Sequence, residues 1–128
     1  MKKILLVDDD LDFCEATKII LESKAYKVSL AHNGKEGLER VRSEEIDLVI
    51  LDVMMPEMSG YDVCVVMKAD PELSSIPVIL LTAVNQEMFR TSFTKEMGLM
   101  TEADDYLAKP VEPEDLVEAI ELLFKREE

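Results

Sequence analysis

The sequence predicts an α/β fold built on a doubly wound parallel sheet. Apolar, β-rich runs alternate with stretches of helical periodicity along the whole of the 128-residue chain. The runs are continuously apolar, which is typical of strands that are covered by helices on both faces of a parallel sheet. We therefore expect a five-stranded sheet with five flanking helices, in one domain that spans residues 1–128.

The predicted strands are short runs rich in Val, Ile and Leu. They cover residues 4–7, 26–31, 46–51, 76–81 and, more weakly, 106–108. Runs of this length and composition favour buried strands. Ligands of doubly wound sheets bind beyond the carboxyl ends of the strands, so the residues that follow each run are the first candidates for a functional site.

Helical periodicity is clearest in the first and the last helical stretches. Apolar residues recur there three or four positions apart, as an amphipathic helix requires: Phe13, Ala16, Ile20 and Leu21 in the first, and Leu116, Ile120, Leu123 and Phe124 in the last. Aspartates precede the first of these helices. Because aspartate is a preferred N-cap, at least one of them is expected to cap this helix.

The composition limits the classes of function. A formal charge of −14 repels nucleic-acid phosphates and anionic lipid, so we expect neither nucleic acid nor membrane as a direct partner. The apolar run at residues 4–7 is too short for a signal peptide or a membrane span. Cys14 and Cys64 stand in apolar periodic stretches without metal-ligand spacing, which predicts reduced core residues and a cytoplasmic location.

Acidic side chains follow two of the predicted strands. Asp8, Asp9 and Asp10 come directly after the first run, and Asp52 ends the third. Adjacent carboxylates repel each other unless a cation offsets their charge. Oxygen ligands from two neighbouring strand ends would suit Mg²⁺, which the sequence therefore predicts at this edge.

A hydroxyl and an ammonium follow the last two runs. Thr82 and Ala83 end the fourth, and Lys109 and Pro110 follow the fifth. Taken singly, a threonine at this place caps a helix about as often as it contacts a ligand, and a lysine is normally a solvated surface charge. Together with the acids, however, these groups are the parts needed to accept and hold a phosphoryl group.

Four segments in this order resemble the receiver domains of two-component response regulators, including the single-domain chemotaxis regulators. They are Leu-Val-Asp-Asp-Asp at 6–10, Leu-Asp-Val-Met-Met-Pro at 51–56 with Gly60, Pro-Val-Ile-Leu-Leu-Thr-Ala at 77–83 and Ala-Asp-Asp-Tyr-Leu-Ala-Lys-Pro at 103–110. Each segment alone is a weak signal, but the ordered set is specific. The resemblance implies the flavodoxin-like strand order 2-1-3-4-5.

The resemblance also implies a metal-assisted phosphoacceptor. Asp52 would receive the phosphoryl group. Asp9, Asp52 and the backbone carbonyl of Met54 would hold Mg²⁺, or Mn²⁺ in its place, and Asp8 would act mostly through water. Such a protein takes up and loses its own phosphoryl group, so it is expected to be a switch rather than an enzyme.

Further roles follow from the same resemblance. Thr82 and Lys109 would contact phosphoryl oxygens, with Ala83 and Pro110 lining the pocket and a cis peptide bond before Pro110. Thr82 and Tyr106 would switch the surface formed by the fourth helix, the fifth strand and the fifth helix. The implied partners are a sensor histidine kinase or phosphotransfer protein, an output domain or downstream protein at that surface, and a second copy in a phosphorylation-dependent homodimer.

The chain departs from the family pattern before the fifth strand. Lys109 follows Thr82 by 27 positions (109 − 82), which is longer than usual for the family. Glu102 stands where the family has a glycine, and Gly98 comes earlier. We expect the additional residues in the fourth helix or in the loop after it, which weakens the inference of partners by analogy.

Other classes of function remain open at this point. A receiver fold that is never phosphorylated would be a binding module. An aspartate-nucleophile phosphatase begins with Asp-x-Asp followed by Thr or Val, whereas Asp8 and Asp10 are followed by Asp12. An EF-hand is excluded because Phe13 and Ile19 stand where its calcium loop needs Gly and Glu.

Overall fold

Strands and helices alternate along the chain in a computed structural model that describes residues 1–83 and 103–126. In order they are β1 (Lys3–Val7), α1 (Leu11–Ser23), β2 (Lys27–Ala31), α2 (Gly34–Ser43), β3 (Leu48–Asp52), α3 (Gly60–Ala69), β4 (Val78–Ala83), β5 (Asp105–Lys109) and α4 (Pro113–Arg126). The described parts of the chain thus contain five strands and four helices. Helix α4 is the fifth helix of the prediction, and the predicted fourth helix falls outside the described residues.

The five strands form one parallel sheet in the order β2-β1-β3-β4-β5, which confirms the predicted order. Side chains that alternate along a strand pack on opposite faces of this sheet. Leu5, Val7, Val49 and Leu51 pack with α2 and α3, whereas Ile4, Leu6, Leu48 and Ile50 pack with α1 and α4. The sheet is therefore covered on both faces, as a doubly wound fold requires.

β3 and β4 each begin two residues later than their apolar runs. Ile46 and Ile76 precede β3 and β4, so apolar character extends beyond the paired residues. The reason is clearest before β4: the Pro77 carbonyl accepts a hydrogen bond from Val49, but proline has no N–H to donate, and regular pairing starts at Val78. Apolar runs thus identify buried segments more accurately than they identify strand ends.

The first turn of α1 is fixed by a side-chain cap. The carboxylate of Asp10 accepts a hydrogen bond from the amide of Phe13 at 3.1 Å, which confirms that one of the leading aspartates caps the helix. The buried face of α1 differs slightly from the predicted one, because Ala16 is exposed and Thr17 is buried in its place. Within the described ranges, no helix has both the length and the hydrophobicity that a membrane span requires.

Both cysteines are buried and neither forms a disulfide, as predicted. Burial, with the negative charge of Asp8 as a second contribution, raises the pKa of the Cys14 thiol to about 12. The thiol is therefore protonated at neutral pH, and its sulfur lies 3.4 Å from the Asp8 carbonyl that accepts its hydrogen bond. A protonated, buried thiol is a core residue rather than a reactive one.

Asp104, directly before β5, joins three elements at the amino-terminal edge of the sheet. Its carboxylate accepts hydrogen bonds from the Val78 amide at 2.8 Å, from Lys68 of α3 at 3.1 Å and from Arg126 of α4 at 2.7 Å. Burial by itself would raise the pKa of Asp104, but these three donors outweigh it and hold the pKa below the ordinary value of 3.8.

Replacing Asp104 with asparagine is expected to lower the free energy of unfolding by about 1–2 kcal/mol at neutral pH. Because the folded-state pKa is depressed, the carboxylate contributes its full stability above the unfolded pKa, and the contribution is lost as pH falls through the folded value. Urea unfolding at pH 7 and at about pH 3 should show the gap to the wild type closing in acid. A gap that stays constant with pH would contradict this, and Asp105→Asn, which removes the adjacent charge, is the control.

Candidate functional site

The carboxyl ends of four strands bring the predicted site residues to one edge of the sheet. Val7 of β1 pairs with Leu51 of β3, so Asp8, directly after β1, and Asp52, the last residue of β3, lie at the same level. On the other side of β3, Ala83 at the end of β4 pairs with Lys109 at the end of β5. Parallel register alone therefore places an acidic pair and a lysine at one edge.

Three carboxylates converge there and are called the acid cluster below: Asp8, Asp9 and Asp52. One oxygen of each lies within 4.8 Å of the others. Asp8 is fully buried and Asp52 is 4% exposed, whereas Asp9 is exposed. The cluster is thus open to solvent on the side of Asp9 and closed beneath it.

Lys109 is the cation that faces the acid cluster among the described residues. Its Nζ donates to Oδ2 of Asp8 at 2.5 Å and lies 3.7 Å from Oδ2 of Asp52. Burial would lower the pKa of Lys109, but the two carboxylates outweigh it and raise the pKa, so the ammonium stays charged. Three carboxylates against one ammonium leave the site short of positive charge.

Asp52 is a carboxylate whose pKa this environment raises. Burial, and next the negative charge of Asp8, raise the pKa of Asp52, while Lys109 and a hydrogen bond from the Met54 amide act in the opposite direction. The net shift is upward, which means that the ionised form is unfavourable in the protein as it stands. A divalent cation would remove this penalty.

The residues of the acid cluster fit such a cation. All three ligand atoms are hard carboxylate oxygens, the donors that Mg²⁺ and Mn²⁺ prefer. The exposed side at Asp9 leaves room for the water molecules that Mg²⁺ normally keeps. The predicted fourth donor is the backbone carbonyl of Met54. The amide of the same residue donates to Oδ1 of Asp52 at 3.2 Å, so the backbone of Met54 lies next to the acid cluster.

The loop between β3 and α3 folds back against Asp52. The amide of Gly60 donates to the Val53 carbonyl at 3.3 Å, and a Cβ atom at Gly60 would lie 2.3 Å from the backbone oxygen of Asp52. Ser59 then starts α3 with a capping box that it shares with Asp62. Close approach of Gly60 to the strand therefore determines where the loop, and Met54 within it, can lie.

Of the remaining predicted residues, Thr82, Ala83 and Pro110 lie at or next to this edge, whereas Tyr106 lies near the start of β5. Thr82 lies in β4 opposite Ala108, and Tyr106 of β5 is 37% exposed. The peptide bond between Lys109 and Pro110 is cis, as the resemblance implies. The roles assigned to Thr82, Ala83, Tyr106 and Pro110 in phosphoryl binding and switching stay predictions.

Two residues that contact the site were not predicted from the sequence to do so. The ring of Phe13 lies 4.5 Å from Nζ of Lys109, although the helical period marked it only as a core position. Nδ1 of His32 lies 3.3 Å from the backbone oxygen of Asp8. Neither contact has a local sequence signal, because each joins separate elements of the fold.

Comparison with known proteins assigns the family. Residues 4–121 match the family model of the response regulator receiver domain. The chain belongs to this receiver-domain family. The resemblance stated from the four sequence segments is thereby confirmed.

Curated relatives of this receiver domain are longer proteins. The transcriptional regulatory protein CpxR of Escherichia coli (strain K12) is 40% identical over 126 residues, which cover 98% of this chain and 50% of CpxR. The DNA-binding response regulator MtrA of Mycolicibacterium smegmatis is 36% identical over 127 residues, which cover 99% of this chain and 52% of MtrA. The chain thus spans about half the length of the curated relatives that it matches.

Solved structures share the fold of this receiver domain over nearly its full length. The receiver domain of a signal transduction histidine kinase from Syntrophus aciditrophicus has a TM-score of 0.89 at 34% identity and covers 98% of this chain and 91% of its own. A CheY-like receiver domain protein from Methanospirillum hungatei JF-1 has a TM-score of 0.85 at 32% identity, covering 98% and 95%. The flavodoxin-like fold is therefore confirmed.

Proposed function

We propose that the chain is a phosphoacceptor switch that takes a phosphoryl group from a phosphohistidine onto Asp52. The observation that carries the proposal is the placement of a buried carboxylate, Asp52, within the acid cluster and 3.7 Å from the ammonium of Lys109. A nucleophile, a place for a divalent cation and a fixed positive charge are the parts that phosphoryl transfer requires.

The transfer itself needs little from the protein beyond positioning and charge. An oxygen of Asp52 attacks the phosphorus in line, the P–O bond forms as the P–N bond to the donor histidine breaks, and the histidine retains the nitrogen electron pair. Lys109 offsets negative charge on the phosphoryl oxygens, and Thr82 donates its hydroxyl to one of them. Mg²⁺ held by Asp9, Asp52 and the Met54 carbonyl, with Asp8 acting through water, supplies further positive charge when bound.

The output is a change of surface rather than a released product. In the proposal, the Thr82 hydroxyl moves toward the phosphoryl group and Tyr106 turns inward, which alters the face made by the predicted fourth helix, β5 and α4. Phosphorylation then biases an equilibrium between two arrangements of this face. Exposure of Tyr106 at 37% supports the proposal, since an inward rotation has surface to remove.

The partners follow from this scheme. A sensor histidine kinase or phosphotransfer protein supplies the phosphoryl group in the cytoplasm, and an output domain, a downstream protein or a second copy of the chain reads the switched face. CpxR is a transcriptional regulatory protein and MtrA is a DNA-binding response regulator, and this chain matches about half of each. With a formal charge of −14, the receiver domain itself is expected to leave any contact with DNA to a separate output domain.

The test is direct phosphorylation by a small donor. The protein is incubated with acetyl phosphate and Mg²⁺, and its intact mass is measured. We expect one phosphoryl adduct on the wild type and on Asp12→Asn, which removes an exposed charge in the first turn of α1, and none on Asp52→Asn. An unmodified wild type would favour the binding-module alternative.

The same samples separate the switch from a phosphatase. With p-nitrophenyl phosphate in place of acetyl phosphate, we expect no continuous release of nitrophenol, because a switch that modifies itself does not turn over a general ester. Sustained, Asp52-dependent turnover would instead support the aspartate-nucleophile phosphatase.

A further inference from the structure

Phe13 presents its ring to the ammonium of Lys109. The Nζ atom lies over the ring, 4.5 Å from its centroid, which is within the range of a cation–π interaction. Phe13 is half-buried and belongs to the first turn of α1, whereas Lys109 ends β5. The contact therefore bridges two elements that are distant in sequence, directly beside the acid cluster.

A continuous chain of contacts links Phe13 to Asp8 in two ways, through Asp10 and through Lys109. Oδ1 of Asp8 accepts from the Asp10 amide at 2.9 Å, and Oδ1 of Asp10 accepts from the Phe13 amide at 3.1 Å. The Phe13 ring contacts Lys109, and Lys109 returns to Oδ2 of Asp8. The helix turn that carries the ring is thus tied to the same carboxylate that the lysine contacts.

The three groups that contact the Lys109 ammonium differ in whether a divalent cation would compete for them. Asp8 and Asp52 are members of the acid cluster, so a divalent cation bound there competes with Lys109 for their oxygens. The ring of Phe13 is neutral and offers no oxygen to a metal. The ring can therefore keep the Lys109 ammonium at the site when the carboxylates of Asp8 and Asp52 bind the cation.

We propose that Phe13 is a positioning residue that holds Lys109 over the acid cluster through the face of its ring, so that the ammonium stays in reach of the phosphoryl group. The inference rests on the proposed phosphoacceptor function. It assigns a role to a side chain of α1 that has no part in the proposed transfer step itself.

The first test compares rates of phosphorylation. Asp52-dependent adduct formation from acetyl phosphate with Mg²⁺ is followed for the wild type, Phe13→Leu and Phe13→Tyr. Leucine keeps the apolar packing but removes the ring, so the rate should fall about three- to tenfold, while tyrosine keeps the ring face and should restore it. In a Lys109→Ala background, Phe13→Leu should change the rate less than about twofold, because the ring then has no ammonium to hold.

The second test observes the contact without phosphorylation. Ring currents should shift the ε-methylene protons of Lys109 upfield in NMR spectra of the wild type and Phe13→Tyr, and the shift should disappear in Phe13→Leu. Loss of the shift together with the slower rate supports the inference.

Failure of the inference and failure of the proposed function are distinguishable. If the wild type and Phe13→Leu form the adduct at the same rate, only the role of Phe13 is overturned. The same holds if Phe13→Leu lowers the rate as much in the Lys109→Ala background as in the wild type. A wild type without any adduct overturns the phosphoacceptor function and this role with it.

Discussion

Replacing Asp52 with asparagine is expected to stabilise the protein in the absence of divalent cations, by about 1–3 kcal/mol, while it abolishes phosphorylation. Asp52 is 4% exposed, and burial and the charge of Asp8 both raise its pKa. The substitution leaves Asp8 and Lys109 as a matched pair. Urea unfolding in EDTA at pH 7 measures the gain.

Mg²⁺ should narrow this difference in the free energy of unfolding. A ligand that binds only the folded state stabilises it by mass action, so added Mg²⁺ should raise the free energy of unfolding of the wild type more than that of Asp52→Asn. Asp12→Asn, which removes an exposed carboxylate, should behave like the wild type in both conditions. Should Asp52→Asn prove less stable than the wild type in EDTA, the described charge balance of the acid cluster would be wrong.

Replacing Gly60 with alanine is expected to destabilise the protein by about 2–4 kcal/mol and to impair phosphorylation of Asp52 together with the fold. The new Cβ would lie 2.3 Å from the backbone oxygen of Asp52 and 3.1 Å from the Leu51 side chain. Backbone in the central strand cannot rotate away as a side chain can. Relief of the clash must therefore move the loop of residues 53–59 or the acceptor strand.

Gly37→Ala is the matched control for this substitution. Gly37 also lies in a helix, but its Cβ would meet the methyl groups of Val7 at 3.0 and 3.2 Å rather than a backbone atom. A better helix propensity offsets part of that crowding, so its stability should stay within about 1 kcal/mol of the wild type. Both variants are measured by urea unfolding and by acetyl phosphate labelling. Equal effects at the two glycines would show that close approach to Asp52 is not the cause.

The amino-acid sequence by itself determined the fold class and the candidate site residues. Continuous apolar runs and helical periodicity are local properties, so they predicted an alternating α/β chain without knowledge of its contacts. Asp8 and Asp52 could be assigned to one edge because parallel strands end together. Strand order came from the family resemblance, and strand ends were displaced where Pro77 cannot donate a hydrogen bond.

Only the tertiary structure decided the electrostatics of the site. The ion pair between Lys109 and Asp8 joins residues 101 positions apart, and the contact of Lys109 with Phe13 joins the end of β5 to the first turn of α1. Such contacts depend on side-chain distances of a few ångströms, which no pattern along the chain encodes. The raised pKa of Asp52 and the supporting place of Phe13 therefore became visible only once the strands and helices were assembled.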